Sequence, residues 1–163
     1  MTTREHGFTL MEMLVVISLI GILAAVSTPF IMDRIIRQQI EAALPLADIA
    51  KKPISDVWTL TKSMPPDNQS VGLPVPEKIV NNFISALTVK DGAIHLTFGN
   101  RANKQINGKV LTLRPAVVTD APIVPVTWVC GNAIAPNQMT IIGENSTNIP
   151  DAYLPFACRV LTK

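Results

Sequence analysis

The sequence has few of the residues that build catalytic and metal sites, and it carries almost no net charge. Its 163 residues include two histidines and two cysteines, and the formal net charge is +2. So small a net charge is not enough to imply that the chain as a whole binds nucleic acid or an anionic membrane. Cys130 and Cys158 stand alone, 28 positions apart, whereas zinc sites usually contain close cysteine pairs. We therefore expect no metal site and no cofactor.

Catalysis is not expected either, because no nucleophile can be paired with a base. His95 lies on a predicted strand, where a lone histidine is usually a surface or packing residue, and His6 lies in the polar residues at the N-terminus. Aromatic residues make up only 5% of the chain, which also has 13 prolines. This composition predicts a loop-rich domain with a modest core, and we expect that the protein is not an enzyme.

A long apolar run follows the first residues of the chain. Between Phe8 and Met32 the only charged residue is Glu12, and as a helix the run is long enough to cross about 30 Å of bilayer hydrocarbon. Two ordinary explanations are a secretory signal, cleaved before Val26 or Ser27, and a plain membrane anchor. The first leaves Glu12 unexplained, and the second is destabilised by its charge.

A third explanation gives the carboxylate of Glu12 a partner. If the polar residues through Gly7 are removed, Phe8 becomes the N-terminus and Glu12 lies about one helical turn away. A buried carboxylate needs a positive partner, and the terminal amine of a neighbouring subunit could supply one. The apolar run would then anchor the chain in a membrane first and pack against other copies afterwards.

The rest of the chain predicts an α+β arrangement. Apolar positions recur at helical spacing between residues 33 and 62, and the proline-rich residues 63–78 predict a surface loop. Four β-prone runs follow, separated by turn signals such as Asp91-Gly92 and Asn107-Gly108. These runs are residues 83–89, 93–99, 109–117 and 124–130. We expect a four-stranded antiparallel sheet whose apolar face is covered by the helix.

Three stretches resemble the type IV pilin family. GFTLMEMLVVISLIGILAA, residues 7–25, is similar to the family's class III prepilin signal, and Pro29 stands where the family places a proline. GAIHLTFGNRANKQINGKVLTLRP, residues 92–115, resembles a pilin hairpin, and residues 127–159 resemble the family's disulfide-bounded loop. The resemblance implies the type IV pilin fold, with a long N-terminal helix on a four-stranded antiparallel sheet and a C-terminal disulfide-bounded loop.

The resemblance also implies roles for individual residues. A prepilin peptidase would cleave between Gly7 and Phe8 and methylate the new amine of Phe8, and Phe8, Glu12 and Pro29 would act in assembly. Cys130 and Cys158 would form the disulfide, which an export out of the cytoplasm already favours over two free thiols. The implied organisation has four parts. They are a cleaved leader at 1–7, an apolar transmembrane and filament-core helix at 8–32, an amphipathic stalk helix at 33–62 and a globular head at 63–163.

Partners and location follow from the same resemblance. A pilin polymerises with other pilin subunits into a surface filament for adhesion, twitching motility or DNA uptake. Its further partners would be the prepilin peptidase and an assembly platform with cytoplasmic ATPase motors. The chain would lie in the inner membrane of a bacterium before assembly and in the extracellular filament afterwards, where it could contact DNA or a host surface.

Two alternatives to a plain filament subunit stay open. Five basic residues lie between positions 90 and 114, and they could bind DNA phosphates as in a DNA-receptor minor pilin, or form a solvated sheet edge. They are Lys90, Arg101, Lys104, Lys109 and Arg114. Ile31 and Arg34 replace tyrosines that many relatives carry, which leaves room for a minor subunit. A secretion pseudopilin is the other alternative, against which the cysteine-bounded loop argues.

Overall fold

The fold comes from a computed structural model that describes residues 7–160, apart from the side chains of residues 27–30. Residues 1–6 of the predicted leader, with His6, therefore lie outside the described part. The described chain forms two compact units that divide between Ile35 and Ile36. The first unit is the apolar part of one helix, and the second contains the remaining helix and all of the sheet.

The helical part is a long helix that is broken once. Helix α1 spans Leu10–Ala43, a 3-10 turn covers Leu44–Ala47, and helix α2 spans Asp48–Thr61. The break coincides with Pro45, which has no N–H to donate to the preceding turn. Pro53, by contrast, lies inside α2 without ending it. Of these two prolines, only Pro45 interrupts the helix.

The sheet has five antiparallel strands. They are β1 (Ile84–Lys90), β2 (Ala93–Phe98), β3 (Val110–Val117), β4 (Thr127–Cys130) and β5 (Thr140–Ile141). Strands β1 to β4 follow one another in chain order, and β5 pairs with the end of β3. The four predicted strands are confirmed, although β4 begins three residues later than expected, after Pro125. The two-residue β5 was not predicted.

The core lies between one face of the helices and one face of the sheet. A single stripe of fully buried residues runs along α1, the 3-10 turn and α2 at spacings of three and four. It consists of Ile36, Ile40, Ala43, Ala47, Ala50 and Ile54. Opposite it, cross-strand rows such as Leu87, Leu96 and Leu111 present buried side chains on the facing side of the sheet. The expected packing of helix on sheet is therefore confirmed.

The loop before the sheet covers the edge of β1. The buried side chain of Asn68 donates from Nδ2 to the carbonyl of Leu87 (2.9 Å) and accepts at Oδ1 from the N–H of Val89 (2.6 Å). Asn68 thus takes the place of a neighbouring strand at this edge. Beyond it, Asp91 and Gly92 form the turn between β1 and β2, both with positive φ.

Candidate functional site

The first candidate site is the exposed apolar surface of α1. Every described side chain from Leu10 to Val26 is exposed, and the large apolar ones range from 44% to 79% exposed. By length and composition alone, this helix could cross a membrane, and its most apolar window has a mean hydropathy of 2.5. A surface of this kind requires either lipid or other protein chains around it.

Glu12 lies in the first turn of this helix. Its backbone N–H donates to Thr9 Oγ1 (3.2 Å), so Thr9 and Glu12 have the spacing of a capping box at the helix start. A carboxylate in the first turn also interacts favourably with the helix dipole. None of the ion pairs among the described residues includes Glu12. Its carboxylate thus stabilises the start of the helix and can still pair with a positive group.

The other predicted assembly residues lie beside Glu12 or on the same helix. Phe8 is 78% exposed and precedes the first turn, next to the exposed Gly7. Pro29 falls within α1, but its side chain lies outside the described part. Beyond the adjacent residues and backbone of its own helix, no atom of the described chain lies within 4 Å of where a Cβ of Gly21 would stand, so a neighbouring helix could approach closely there. The roles of Gly7, Phe8, Glu12 and Pro29 stay predictions.

The second candidate site is the disulfide-bounded loop. Cys130 and Cys158 are bonded, as expected of this part of the fold. From β5, the loop continues past Gly143, where a Cβ would lie 2.8 Å from the Cβ of Ala93. It then reaches the opposite edge of β3, where Thr147 Oγ1 accepts from the N–H of Thr112 (3.0 Å). Residues 143–147 therefore form a strap across the outer face of the sheet.

His95 lies on the outer face, beside Thr112 and the strap. It is 8% exposed, and its Nδ1 lies 3.0 Å from the hydroxyl of the fully buried Thr112. That hydroxyl accepts from the N–H of Ser146 (3.2 Å), so its own proton is available for His95. With Nδ1 as the acceptor, the imidazole would be the neutral tautomer that carries its proton on Nε2. The histidine is a packing residue that helps to hold the strap.

We expect His95 to make the head less stable in mild acid. Burial lowers the pKa of His95 from its ordinary 6.5, Lys90 lowers the pKa further, and Glu144 opposes both. The unfolded chain therefore binds the proton more readily, so stability is complete above about pH 7 and falls as the pH drops below 6.5. Unfolding of the full chain in detergent, measured between pH 5 and 8, checks this.

The variant His95→Gln provides the comparison for that measurement. It should remove the part of the pH dependence near pH 6 that comes from His95, because glutamine does not titrate and His6 is the same in both proteins. Acidic residues contribute equally in both proteins, so the difference between the two curves isolates His95. Parallel curves over the whole range would contradict this role.

The structure does not gather the five basic residues into one stripe. Lys90 and Arg114 lie at the end of the sheet that carries the turn between β1 and β2, whereas the other three lie at the opposite end. Lys90 pairs with Glu144 at 3.8 Å. Arg114 is half-buried and donates to the carbonyl of Gly131 (3.0 Å), and burial lowers the pKa of its guanidinium.

The remaining three basic residues differ among themselves. Lys109 donates from Nζ to the carbonyl oxygen of Asn148 at a distance of 3.5 Å. Arg101 and Lys104 are exposed in the loop between β2 and β3, and neither forms an ion pair within residues 7–160. The same part of the chain contains no group of three or more side chains that could hold a metal ion. DNA binding by the basic residues stays a prediction.

Comparison with known proteins points to one family. The family described as pilin, a bacterial filament protein, matches residues 37–159, and the prokaryotic N-terminal methylation motif matches residues 2–28. The type IV major pilin protein PilE1 of Neisseria gonorrhoeae is 32% identical, over 98% of this chain and 89% of the relative. A fimbrial protein of Neisseria meningitidis serogroup A is 30% identical over 98% and 96%. The fimbrial protein EcpC of Eikenella corrodens is 31% identical over 95% and 91%.

Proposed function

Because the chain belongs to the type IV pilin family and is a structural subunit of a pilus, we propose that α1 carries it from the membrane into the core of the filament. Adhesion and motility are typical of this family, whose members are structural proteins not known as enzymes. The observation that carries the proposal is the exposed apolar surface from Leu10 to Val26, on which Glu12 is the only charged side chain. Lipid covers this surface before assembly, and the helices of other subunits cover it afterwards.

Processing produces the assembling form. The methylation motif implies cleavage by a prepilin peptidase, and we place the cut between Gly7 and Phe8, with methylation of the Phe8 amine. The mature chain then consists of a filament-core helix at 8–32, a stalk helix at 33–62 and a head at 63–163. Removal of the leader takes away the basic Arg4 and leaves an apolar N-terminus. A methylated amine keeps its positive charge at neutral pH.

The charges of Phe8 and Glu12 set the register between subunits. In the apolar filament core, the carboxylate of Glu12 cannot remain unpaired, because an isolated buried charge is strongly destabilising. The amine of Phe8 on a neighbouring subunit satisfies it. A pair of opposite charges in an apolar surface fixes one axial offset, whereas apolar contacts alone permit many offsets. Pro29 weakens the helix locally and lets it adapt during the transfer from membrane to filament.

The working filament needs further partners. Cytoplasmic ATPase motors at an assembly platform in the inner membrane supply the energy for extension and retraction, and the filament serves adhesion, twitching motility or DNA uptake. A DNA-receptor minor pilin is the second candidate, supported by the exposed Arg101 and Lys104. Two phosphate contacts would change log affinity by only about −1.8 per unit of log salt, far less than in tight DNA binders. The plain filament subunit is therefore favoured.

The mature N-terminus tests the proposed function. Mass spectrometry of sheared surface filaments from the native host should show a chain that begins at N-methylated Phe8. The unsheared membrane fraction should contain the same processed chain, because cleavage precedes assembly. A chain that begins at Met1 or near Ser27, or that is absent from the filaments, would remove the assembly mechanism.

A further inference from the structure

A basic groove lies beside the disulfide. Ile134 and Phe156 are 72% and 68% exposed, and together with three neighbours they line a concave surface. We define the basic groove as Ala133, Ile134, Phe156, Ala157 and Arg159, with the guanidinium of Arg37 at its rim. The guanidinium carbons of Arg37 and Arg159 lie 5.4 and 5.1 Å from the centroid of the Phe156 ring. The Phe156 ring is thus exposed and has two guanidinium groups within cation–π distance.

The two positive charges of the basic groove have no negative partner. Arg37 donates to the carbonyl of Ala152 (2.9 Å), and Arg159 donates to the carbonyls of Leu154 (2.7 Å) and Ala152 (3.0 Å). Neither forms an ion pair within the described chain. These hydrogen bonds fix the guanidinium groups in place without neutralising them. The groove is thus preorganised for a ligand that combines a carboxylate with an apolar side chain.

An acidic tip of the head has that complementary chemistry. We define the acidic tip as residues 118–126, in which Asp120 is the only charged residue. Ile123 is 88% exposed. Two short turns shape the tip, because the N–H of Ala121 donates to the carbonyl of Val118 and the N–H of Val124 donates to the carbonyl of Ala121. Asp120 forms no ion pair within the described chain. Glu77, another acid of the head without an ion pair among the described residues, is less suitable because it is next to Lys78.

The groove and the tip lie at opposite ends of the head. The acidic tip follows the end of β3, beyond the turn at Gly92, and Gly92 lies against Met64 just after the end of α2. Arg37, at the rim of the basic groove, lies near the start of the stalk helix. At 1.5 Å per residue, the helical stretch from Arg37 to Thr61 is about 36 Å long. The two surfaces are therefore separated along the helix direction.

We propose that the acidic tip of one subunit docks in the basic groove of the next subunit along the filament. Ile123 packs against Ile134 and Phe156, and Asp120 pairs with Arg159. Such a contact joins two different surfaces of the same chain, so it repeats without closing and propagates along a fibre. The proposal rests on the proposed function and adds a contact between heads to the contact between helices.

Engineered cysteines test this contact in assembled filaments. Both native cysteines are bonded to each other, so a full-length chain with Ile123→Cys and Ile134→Cys has two reactive thiols. Filaments sheared from the native host and oxidised should give a ladder of dimers, trimers and longer oligomers on non-reducing gels. Either single variant should give no ladder, because the contact needs both surfaces. If the double variant fails to assemble alone, co-assembly with unaltered chains should still give cross-linked dimers.

A matched control separates this contact from general crowding. Leu60→Cys with Ile134→Cys places the first thiol on a site of similar exposure, 83%, at the same end of the head. This pair should give no ladder. Filaments in which the test pair cross-links no better than the control would overturn the docking proposal and leave the filament function standing. Absence of the unaltered chain from filaments would instead overturn the function.

Accessibility of the groove tests the other possible occupants. Ile134→Cys should react with a polyethylene-glycol maleimide in detergent-solubilised subunits and be protected in intact filaments. Equal reaction in both states would show an open groove. Its occupant would then be an acidic partner outside the filament, and the proposal would be wrong.

Discussion

Replacing Glu12 with alanine should abolish surface filaments while the head stays folded. The substitution leaves the Phe8 amine of the neighbouring subunit without its counter-charge in an apolar core, and breaking a buried pair costs about 3–5 kcal/mol. A loss of that size lowers an association constant by roughly 10² to 10⁴. The yield of sheared filaments, measured against the amount of processed pilin in the membrane, gives the effect on assembly alone.

Glutamine and a capping variant separate the two roles of Glu12. Gln at the third helical position still completes a capping box, but it has no charge for the amine. Glu12→Gln should therefore assemble as poorly as Glu12→Ala. Thr9→Ala removes the hydroxyl that accepts from Glu12 N–H but leaves the charge, so it should assemble. Filaments of normal yield from Glu12→Gln would show that the carboxylate serves the helix start and not a pair between subunits.

The sequence was informative about elements that depend on local patterns. The strands β1 to β3 were predicted within about one residue, because their periodicity and the Asp91-Gly92 turn are local signals. The capping box of Thr9 and Glu12 could also have been predicted, since threonine three residues before glutamate is its sequence signature. It was missed because the charge of Glu12 suggested a partner on another chain.

Features that depend on distant contacts could not be predicted. Strand β5 has two residues and exists only because β3 extends past β2 and leaves an edge to pair with. His95 looked like any strand histidine, and its burial depends on residues 143–147, about 50 positions along the chain. The five basic residues fall in one stretch of the sequence, yet the antiparallel pairing of the strands places them at two ends of the sheet. Asn68 resembled an ordinary loop residue between prolines.

Asn68→Leu should destabilise the head by about 3–5 kcal/mol. The side chain of Asn68 is 6% exposed and makes three hydrogen bonds, to Leu87, Val89 and the carbonyl of Pro74 (3.1 Å). Leucine leaves the buried backbone groups of Leu87 and Val89 without partners, at about 1–3 kcal/mol for each group. Denaturant unfolding of the full chain in detergent measures the loss. The exposed neighbour Gln69→Leu should change stability by less than about 0.5 kcal/mol.

Asn68→Asp shows whether the donor or the acceptor matters more. Aspartate can still accept from Val89 N–H, but when ionised it cannot donate to Leu87 or Pro74 and places a charge in a buried site. Its stability should therefore rise as the pH falls and the carboxyl gains a proton that it can donate. This slope is opposite to the one expected from His95, which both proteins contain, so the difference between the titrations of the variant and the unaltered chain isolates the new carboxyl.

The consequence of Asn68→Leu for filaments follows from the edge that it exposes. β1 is the outer strand of the sheet, and an uncovered edge pairs readily with other chains. We expect fewer filaments because processed subunits aggregate or are degraded before assembly, so the membrane pool falls together with the filaments. Glu12→Ala should instead leave that pool intact. If Asn68→Leu gave few filaments but a normal amount of processed subunit in the membrane, the loop would act in the contact between subunits and not in the stability of the head.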